Sequence, residues 1–398
     1  MPLANGRHYL AIPGPSVAPD AVLQAMHRAS PNIYEGELVD MVPGIVDDLK
    51  RIARTEGHLA MYIGNGHAAW EAALANTHKP GDRVLVLATG RFGHGWAGMA
   101  ASQGVECEIL DFGRAGTIDL ERIEAALRAD VSHTYSSVLI THVDTSSSVK
   151  NDVEAVRKLM DDLGHPGLLM ADCIASLACD RFEMDAWGVD VMVAACQKGL
   201  MTPPGMCYVF FNDKADAVRG TLERVTSYWD WRPRSQPDGF WQYWCGTAPT
   251  HHLYGQRQAL DMILDEGLEA VWARHETLAR TVWAALDAWA TGGPIAMNIA
   301  DPKLRSVAVT SVSLGKPHGA RLRKWVVDNV GMTLGIGLGM ESPEDPKSES
   351  YFRIGHMGHV NAHMVLGVLS AMQAGMTALD IPFCPGALDA AAKVCAKS

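Results

Sequence analysis

The stretch VDVMVAACQKGLMTPPG, residues 189–205, decides the fold class and poses the question of function. An apolar run typical of a buried β-strand ends in a lysine, Lys198, and two prolines follow within six residues of it. Burial of an amine costs free energy unless the amine is paired or reacts covalently, and burial also lowers its pKa. Lys198 is therefore a candidate nucleophile for a carbonyl group.

Similar apolar runs stand on both sides of this stretch, and segments with helical spacing of apolar residues separate most of them. The runs are residues 59–66, 82–90, 105–112, 136–143, 167–176 and 205–211. Alternation of this kind predicts an α/β fold with a mostly parallel sheet and helices on both faces.

An aromatic tract, residues 227–250, ends the alternation, and a long helical stretch from about Gly255 to Trp289 follows it. A second α/β region extends from there to the C-terminus. We place the domain boundary inside the helical stretch. The predicted units are an N-terminal segment (1–20), a large domain (21–265) and a smaller C-terminal domain (266–398).

The composition argues against several classes of protein. A chain of 398 residues that is 48% hydrophobic can bury two sizeable cores. Its net charge of -11, without any Lys/Arg-rich block, does not suit a nucleic-acid partner. No stretch resembles a signal peptide or a membrane span, and eight scattered cysteines without a CxxC pair suit reduced thiols, so we expect a cytoplasmic protein. The sixteen histidines lack metal-binding spacing, so we expect no catalytic metal.

Ligands of open parallel sheets bind at the carboxyl ends of the strands, where a glycine turn is the first candidate. After the run that starts at residue 59, Gly64 and Gly66 lead into a helix, and backbone N–H groups at such a turn bind phosphate. Gly64, Gly66 and Ala69 also satisfy the GxGxxA dinucleotide pattern, which makes an NAD-dependent oxidoreductase the rival enzyme class. That pattern requires an acidic residue after the next strand, where this chain has Thr89 and Gly90.

The second candidate is Asp172, a carboxylate at the end of a largely apolar run. Helix capping is an ordinary role for such a residue. Lys198 follows 26 residues later, which leaves room for one crossover between neighbouring parallel strands. A phosphate turn, a buried acid and a buried lysine together predict a site for pyridoxal 5′-phosphate. An enzyme without this cofactor, or a non-catalytic binding protein on the same scaffold, stays open as an alternative.

Four motifs resemble those of class V aminotransferases of pyridoxal-phosphate fold type I, in particular the alanine–glyoxylate and serine–glyoxylate group. They are GNGHAAWEAAL (64–74), ADCIASL (171–177), CQKGLMTPPG (196–205) and FRIGHMG (352–358). The resemblance implies a large domain with a mostly parallel seven-stranded sheet and a smaller α/β domain. It also implies ping-pong transfer of an amino group from a small L-amino acid to glyoxylate or pyruvate.

The resemblance further implies roles for individual residues around the cofactor ring. Lys198 would bind the aldehyde of the cofactor and later move a proton at the substrate's Cα, while Asp172 would pair with the pyridine N–H. Phe92 occupies the place of the aromatic residue that stacks on the ring. Ser146 falls where a serine bonds the phenolic oxygen, and Thr145 or Ser147 remain alternatives for that contact.

Gly66, His67 and Gln197 correspond to the residues that hold the phosphate, His67 mainly through its backbone N–H. The family pattern also implies a homodimer with shared active sites. Thr247 would reach across the interface to the phosphate of the neighbouring subunit, and Trp244 stands beside it where a tyrosine is usual. The aromatic tract suits a buried subunit contact.

On the substrate side, Arg353 matches the arginine that binds the α-carboxylate, and Gly14 lies where an N-terminal segment closes over the substrate. Residues 29–41 replace the usual His-Arg-Ser element, so the donor and the acceptor stay open. Residues 353–358 and 269–275 also resemble pyridoxamine–pyruvate aminotransferase, our alternative, although that enzyme has a second arginine where this chain has Leu338. A cysteine desulfurase is not expected, because residues 340–350 contain no cysteine.

Overall fold

The computed structural model describes residues 3–342 and 344–397. The strands within these residues are β1 (Tyr9–Ala11), β2 (His58–Gly64), β3 (Arg83–Ala88), β4 (Glu106–Asp111), β5 (Tyr135–Thr141), β6 (Val143–Asp144), β7 (Val149–Lys150), β8 (Leu168–Asp172), β9 (Val191–Ala195), β10 (Gly205–Phe211), β11 (Ala296–Met297), β12 (Val309–Ser313), β13 (Met332–Ile336) and β14 (Tyr351–Gly355).

The α-helices are α1 (Asp20–Met26), α2 (Glu37–Ala53), α3 (Gly66–Thr77), α4 (Arg91–Ser102), α5 (Leu120–Ala129), α6 (Val153–Asp162), α7 (Asp213–Thr221), α8 (Arg232–Ser235), α9 (Thr250–Glu266), α10 (Leu268–Ala290), α11 (His318–Val330), α12 (Ala362–Ala378) and α13 (Ala387–Cys395). Two short 3₁₀ helices cover Phe240–Trp244 and Pro302–Leu304. None of the helices in the described part of the chain is both long and apolar enough to span a membrane.

A seven-stranded sheet forms the large domain, in the order β2-β10-β9-β8-β5-β3-β4. Only β10 runs against the other six strands of this sheet, so the predicted mostly parallel α/β fold is confirmed. Strand β8 shows why its sequence is apolar throughout: Leu168 and Met170 pack into the core on one face, and Leu169 and Ala171 pack into the core on the other.

The smaller domain contains a five-stranded sheet in the order β1-β13-β14-β12-β11. Its first strand comes from the N-terminal segment, because β1 pairs in parallel with β13, with Tyr9 opposite Met332. Strand β1 therefore belongs to the smaller domain, and the chain returns to that domain after it has formed the large one.

The long helix expected between about Gly255 and Trp289 is two helices. The chain turns at Gly267, whose φ of +86° is strained for residues with a Cβ atom. The large-domain core extends into the first turns of α10 as far as Trp272, and the smaller core begins at Leu278. The core thus changes within α10, shortly after the predicted boundary between residues 265 and 266.

Candidate active site

Strands β8 and β9 are parallel neighbours, with Asp172 opposite Val193, so their carboxyl ends meet at one edge of the sheet. A cavity of about 250 Å³ opens there. The side chains and backbone that line it belong to Asn65, Gly66, His67, Trp70, Phe92, Val143, Thr145, Asp172, Ile174, Ala175, Gln197 and Lys198. Six of these residues were candidates from the sequence, namely Gly66, His67, Phe92, Asp172, Gln197 and Lys198, and a seventh, Thr145, was an alternative to Ser146.

Lys198 stands in the turn after β9, under the N-terminal segment. Its Nζ donates a hydrogen bond to the carbonyl oxygen of Pro13, and its own carbonyl oxygen accepts one from Ser16 Oγ at 2.7 Å. Burial, together with the nearby positive charge of Arg353, lowers the pKa of the amine to about 8, against the opposing effect of Asp172. About a tenth of this amine is therefore neutral at pH 7, and hence nucleophilic, far more than for an exposed lysine.

Asp172 is the last residue of β8, and only 3% of its surface is exposed. Trp70 Nε1 donates to one carboxylate oxygen at 3.1 Å, and the backbone N–H of Ile174 donates to the other at 2.8 Å. Burial raises the pKa of this carboxyl to about 7, although both donors oppose the shift. A cation placed beside Asp172 in the cavity would stabilise the ionised carboxylate.

The glycine turn after β2 forms the N-terminus of α3. Asn65 caps the helix, and its Oδ1 accepts the backbone N–H of His67 at 3.0 Å. The N–H of His67, expected to hold a phosphate, therefore donates within the chain, and the imidazole lies against the ring of Trp70, with 4.7 Å between centroids. A Cβ atom on Gly66 would come within 2.5 Å of Ile174 Cδ1, so glycine keeps this wall of the cavity open.

Phe92 lies in the first turn of α4 and lines the cavity, and its ring packs edge-to-face with that of Trp70 at 6.2 Å between centroids. Ser146 does not line the cavity. Its hydroxyl donates to Asp144 Oδ1 at 2.5 Å and accepts the backbone N–H of Arg91 at 2.9 Å. Among Thr145, Ser146 and Ser147, only Thr145 belongs to the lining, which favours it for a contact with a bound ring.

Arg353 lies on β14 of the smaller domain and is 7% exposed. Its Nε donates to the carbonyl oxygen of Ile336 at 2.7 Å, and its Nη1 donates to that of Thr145 at 3.0 Å. Within the described residues, its Nη2 donates no hydrogen bond. Burial lowers the pKa of the guanidinium to about 10, which still leaves it charged at neutral pH. The geometry thus brings a fixed cation from one domain to the site of the other.

Gly14 covers Lys198 directly. The residue has a φ of +94°, and a Cβ atom at this position would overlap the lysine side chain. The cover is fastened on its far side, because the backbone N–H of Ser16 donates to the carbonyl oxygen of Gln197 at 2.9 Å. The N-terminal segment thus lies over the site as predicted, and only a residue without a Cβ atom can approach Lys198 this closely.

Trp244 and Thr247 lie outside the cavity lining. Trp244 is buried in the large-domain core of its own chain, where its indole packs as an apolar group and its Nε1 finds no hydrogen-bond partner among the described residues. The indole is therefore not presented to a second copy of the chain. Thr247, three residues later, is exposed at the surface.

Two site residues were missed in the sequence. Trp70 follows Gly66 by four residues on α3, and this spacing places both on one helix face, a signal that was available. Asp144 ends the two-residue strand β6, and its role depends on tertiary contacts that no spacing indicates.

Comparison with known proteins adds a second line of evidence. The family model described as aminotransferase class-V matches residues 58–339. Serine–glyoxylate aminotransferase of Methylorubrum extorquens is 32% identical over 97% of this chain and 95% of that protein. L-aspartate–glyoxylate aminotransferase of Paracoccus denitrificans is 31% identical over 96% and 94%. The crystal structure of pyridoxamine–pyruvate aminotransferase from Mesorhizobium loti superposes with a TM-score of 0.87 at 24% identity, covering 98% of this chain and 97% of that one.

Proposed function

The chain belongs to the class V aminotransferase family, and from this premise we propose that it transfers the amino group of a small L-amino acid to glyoxylate or pyruvate by a ping-pong mechanism. It is a transaminase of fold type I, whose cofactor is pyridoxal 5′-phosphate. Membership of this family argues against the NAD-dependent oxidoreductase and the non-catalytic binding protein that the sequence left open. The observation that carries the proposal is one cavity that holds a lysine with a lowered pKa and a buried carboxylate.

The residues of the cavity fit this cofactor. Asp172 is a buried carboxylate without a cationic partner inside hydrogen-bonding distance in the described residues, which suits a protonated ring nitrogen. Gly66 leaves space at the N-terminus of α3, where the helix dipole favours a phosphate. His67 and Gln197 would complete the phosphate site, Phe92 would form a wall against the ring, and Thr145 rather than Ser146 would contact its phenolic oxygen. When bound, the cofactor supplies an aldehyde for amines and a ring that accepts electrons from the substrate's Cα.

The protein groups then have distinct tasks. Lys198 Nζ would hold the aldehyde and, once released by the donor amine, would move the proton between the substrate's Cα and the cofactor's C4′. It would take the proton from Cα of the amino acid donor and, in the other half-reaction, deliver one to Cα of the acceptor; a base whose pKa lies near the working pH is effective in this role. Asp172 keeps the ring nitrogen protonated. Arg353, through its Nη groups, binds the α-carboxylate shared by amino acids and oxo acids. Gly14 limits the access of water to Lys198 from above.

The function is tested with purified holoenzyme and a panel of donors (serine, alanine, aspartate and pyridoxamine) against glyoxylate, pyruvate and 2-oxoglutarate. We expect rapid transfer from at least one small L-amino acid to glyoxylate or pyruvate. The visible absorbance of the holoenzyme should fall when the donor is added and return when the acceptor is added. Turnover with pyridoxamine and pyruvate alone would establish the alternative, pyridoxamine–pyruvate aminotransferase, whose solved structure shares the fold. Failure of every pair would contradict both assignments.

We also propose that the enzyme is a homodimer whose active sites are completed by the neighbouring subunit. Large apolar side chains around the aromatic tract support this: Trp241 is 61% exposed, and the exposed Tyr228 donates from its hydroxyl to the carbonyl oxygen of the equally exposed Ile63. The exposed Thr247 is the residue proposed to reach the phosphate of the partner. Trp244 is then a core residue that supports this segment from inside its own chain.

Mixing of two impaired subunits tests the shared site. Thr247→Glu places a negative charge beside the proposed phosphate site, and Lys198→Ala removes the reactive amine. If the sites are shared, a mixed dimer contains one site with both changes and one intact site, so random exchange restores about a quarter of wild-type specific activity. Confirmed subunit exchange without restored activity, from an impaired Thr247→Glu enzyme, would assign Thr247 to its own subunit.

The proposed location rests on the cysteines. Four of them, Cys173, Cys179, Cys196 and Cys207, are buried free thiols. Free thiols persist in reducing compartments. We therefore propose that the enzyme acts in the cytoplasm.

A further inference from the structure

The carboxylate of Asp144 is completely buried next to the cavity and accepts four hydrogen bonds. The backbone N–H and the hydroxyl of Ser146 donate to Oδ1 at 2.9 and 2.5 Å. The backbone N–H groups of Phe92 and Gly93 donate to Oδ2 at 2.8 and 3.4 Å. Each oxygen of this one side chain therefore holds a different segment of the large domain.

The Oδ2 side fixes the start of α4. The N-terminal N–H groups of this helix have no partner within the helix, and a carboxylate there also interacts favourably with the helix dipole. Contact is close, because a Cβ atom on Gly90 would come within 2.5 Å of Asp144 Cγ. The position of Phe92, which lines the cavity from the first turn, thus depends on Asp144.

The Oδ1 side fixes the loop of residues 145–148. Thr145 lines the cavity, and its carbonyl oxygen accepts Arg353 Nη1 at 3.0 Å. Farther along the loop, Ser148 Oγ accepts the backbone N–H of Ser311 at 3.1 Å, which is a second link to the smaller domain. Through these two hydrogen bonds, the loop fixes the position of the Arg353 guanidinium relative to the cavity.

We propose that Asp144 is a positioning residue of the transamination reaction, holding the ring wall Phe92 and the carboxylate-binding Arg353 in register through one buried carboxylate. This inference rests on the proposed function for the roles of Phe92 and Arg353. An amide at position 144 has only one acceptor oxygen, so its NH₂ group would face N–H donors on one side. Either α4 or the loop would then lose its anchor.

Asp144→Asn tests the proposal in the holoenzyme, and Asp130→Asn is a matched control. Asp130 is also buried and accepts two backbone N–H groups and one hydroxyl, from Thr134 and Tyr135, near the amino end of β5 and away from the cavity. We expect both variants to lower the thermal midpoint. Only Asp144→Asn should reduce kcat/KM, by about 10- to 100-fold, because small displacements of positioned groups have effects of this size.

The expected signature is a raised KM for both amino acid and oxo acid, since Arg353 serves both, together with a raised Kd for pyridoxal 5′-phosphate. Wild-type KM, kcat and cofactor Kd in a folded Asp144→Asn enzyme would overturn the proposal and leave Asp144 a structural residue like Asp130. If Asp144→Asn does not fold, Ser146→Ala removes one of the four bonds without a change of charge, and unaltered constants there would overturn it equally. The cofactor Kd requires no turnover, so this result is independent of whether the proposed donor and acceptor are correct.

Discussion

Replacement of Lys198 by alanine is expected to leave turnover below about one ten-thousandth of the wild-type rate, because it removes a proton-transfer group worth up to about 10⁴-fold and the covalent anchor of the cofactor as well. No other lysine lines the cavity in the described residues. The measurement is steady-state transamination with the best donor–acceptor pair. It is accompanied by dialysis, after which the variant should have lost both bound cofactor and visible absorbance.

Lys150→Ala provides the control, since Lys150 is a half-buried lysine at the end of β7 that lies outside the cavity. This variant should keep its cofactor and its activity. The lowered pKa of Lys198 adds a second test: uptake of pyridoxal 5′-phosphate by cofactor-free wild-type protein should accelerate with rising pH as the amine loses its proton, and level off above about 8. A Lys198→Ala enzyme that retains turnover and covalently bound cofactor would contradict the role assigned to this residue.

Arg353→Leu should reduce kcat/KM for every amino acid and oxo acid alike, because the α-carboxylate is common to all of them. Charge-assisted hydrogen bonds contribute about 1.5–3 kcal/mol each, so two lost contacts correspond to a decrease on the order of a hundredfold or more. The effect is measured over a series of donors and acceptors that differ only in their side chains.

The arginine also supports two backbone carbonyl groups, so its structural contribution must be separated from binding. Arg305→Leu is the matched control, because Arg305 is equally buried in the smaller domain and donates to the carbonyl oxygens of Ile299 and Ala300. That variant should lose stability while keeping its KM values. A loss confined to one substrate in Arg353→Leu would assign this residue to side-chain recognition.

The sheet, Asp172 and Lys198 could be predicted from the sequence because each depends on a short stretch of neighbouring residues. Apolar runs report buried strands, and a polar residue that ends such a run lies at the carboxyl edge of a parallel sheet, as Asp172 and Lys198 do. Motif resemblance supplied Phe92 and Arg353, which belong to elements far apart in the chain.

The remaining details depend on competition between neighbouring groups that sequence does not resolve. The hydroxyl of Ser146 donates to Asp144 and lies outside the cavity lining, whereas the adjacent Thr145 lines the cavity. The backbone N–H of His67 is used by Asn65 in the same way. The break at Gly267 was not predicted, because the segments on both sides of it are helical. The burial of Trp244 depends on the packing of the whole large domain.

The pairing of β1 with β13 has a consequence for biosynthesis. Tyr9 is synthesised before all the strands of the large domain, yet its partner Met332 emerges only after them. Contacts of such long sequence separation form late, because the intervening loop must close first. Residues 12–16 are held between β1 and the Lys198 turn, so the cover over the reactive amine cannot be fixed until the C-terminal part has folded. A nascent chain in which β13 has not yet formed would therefore present Lys198 without its fixed cover.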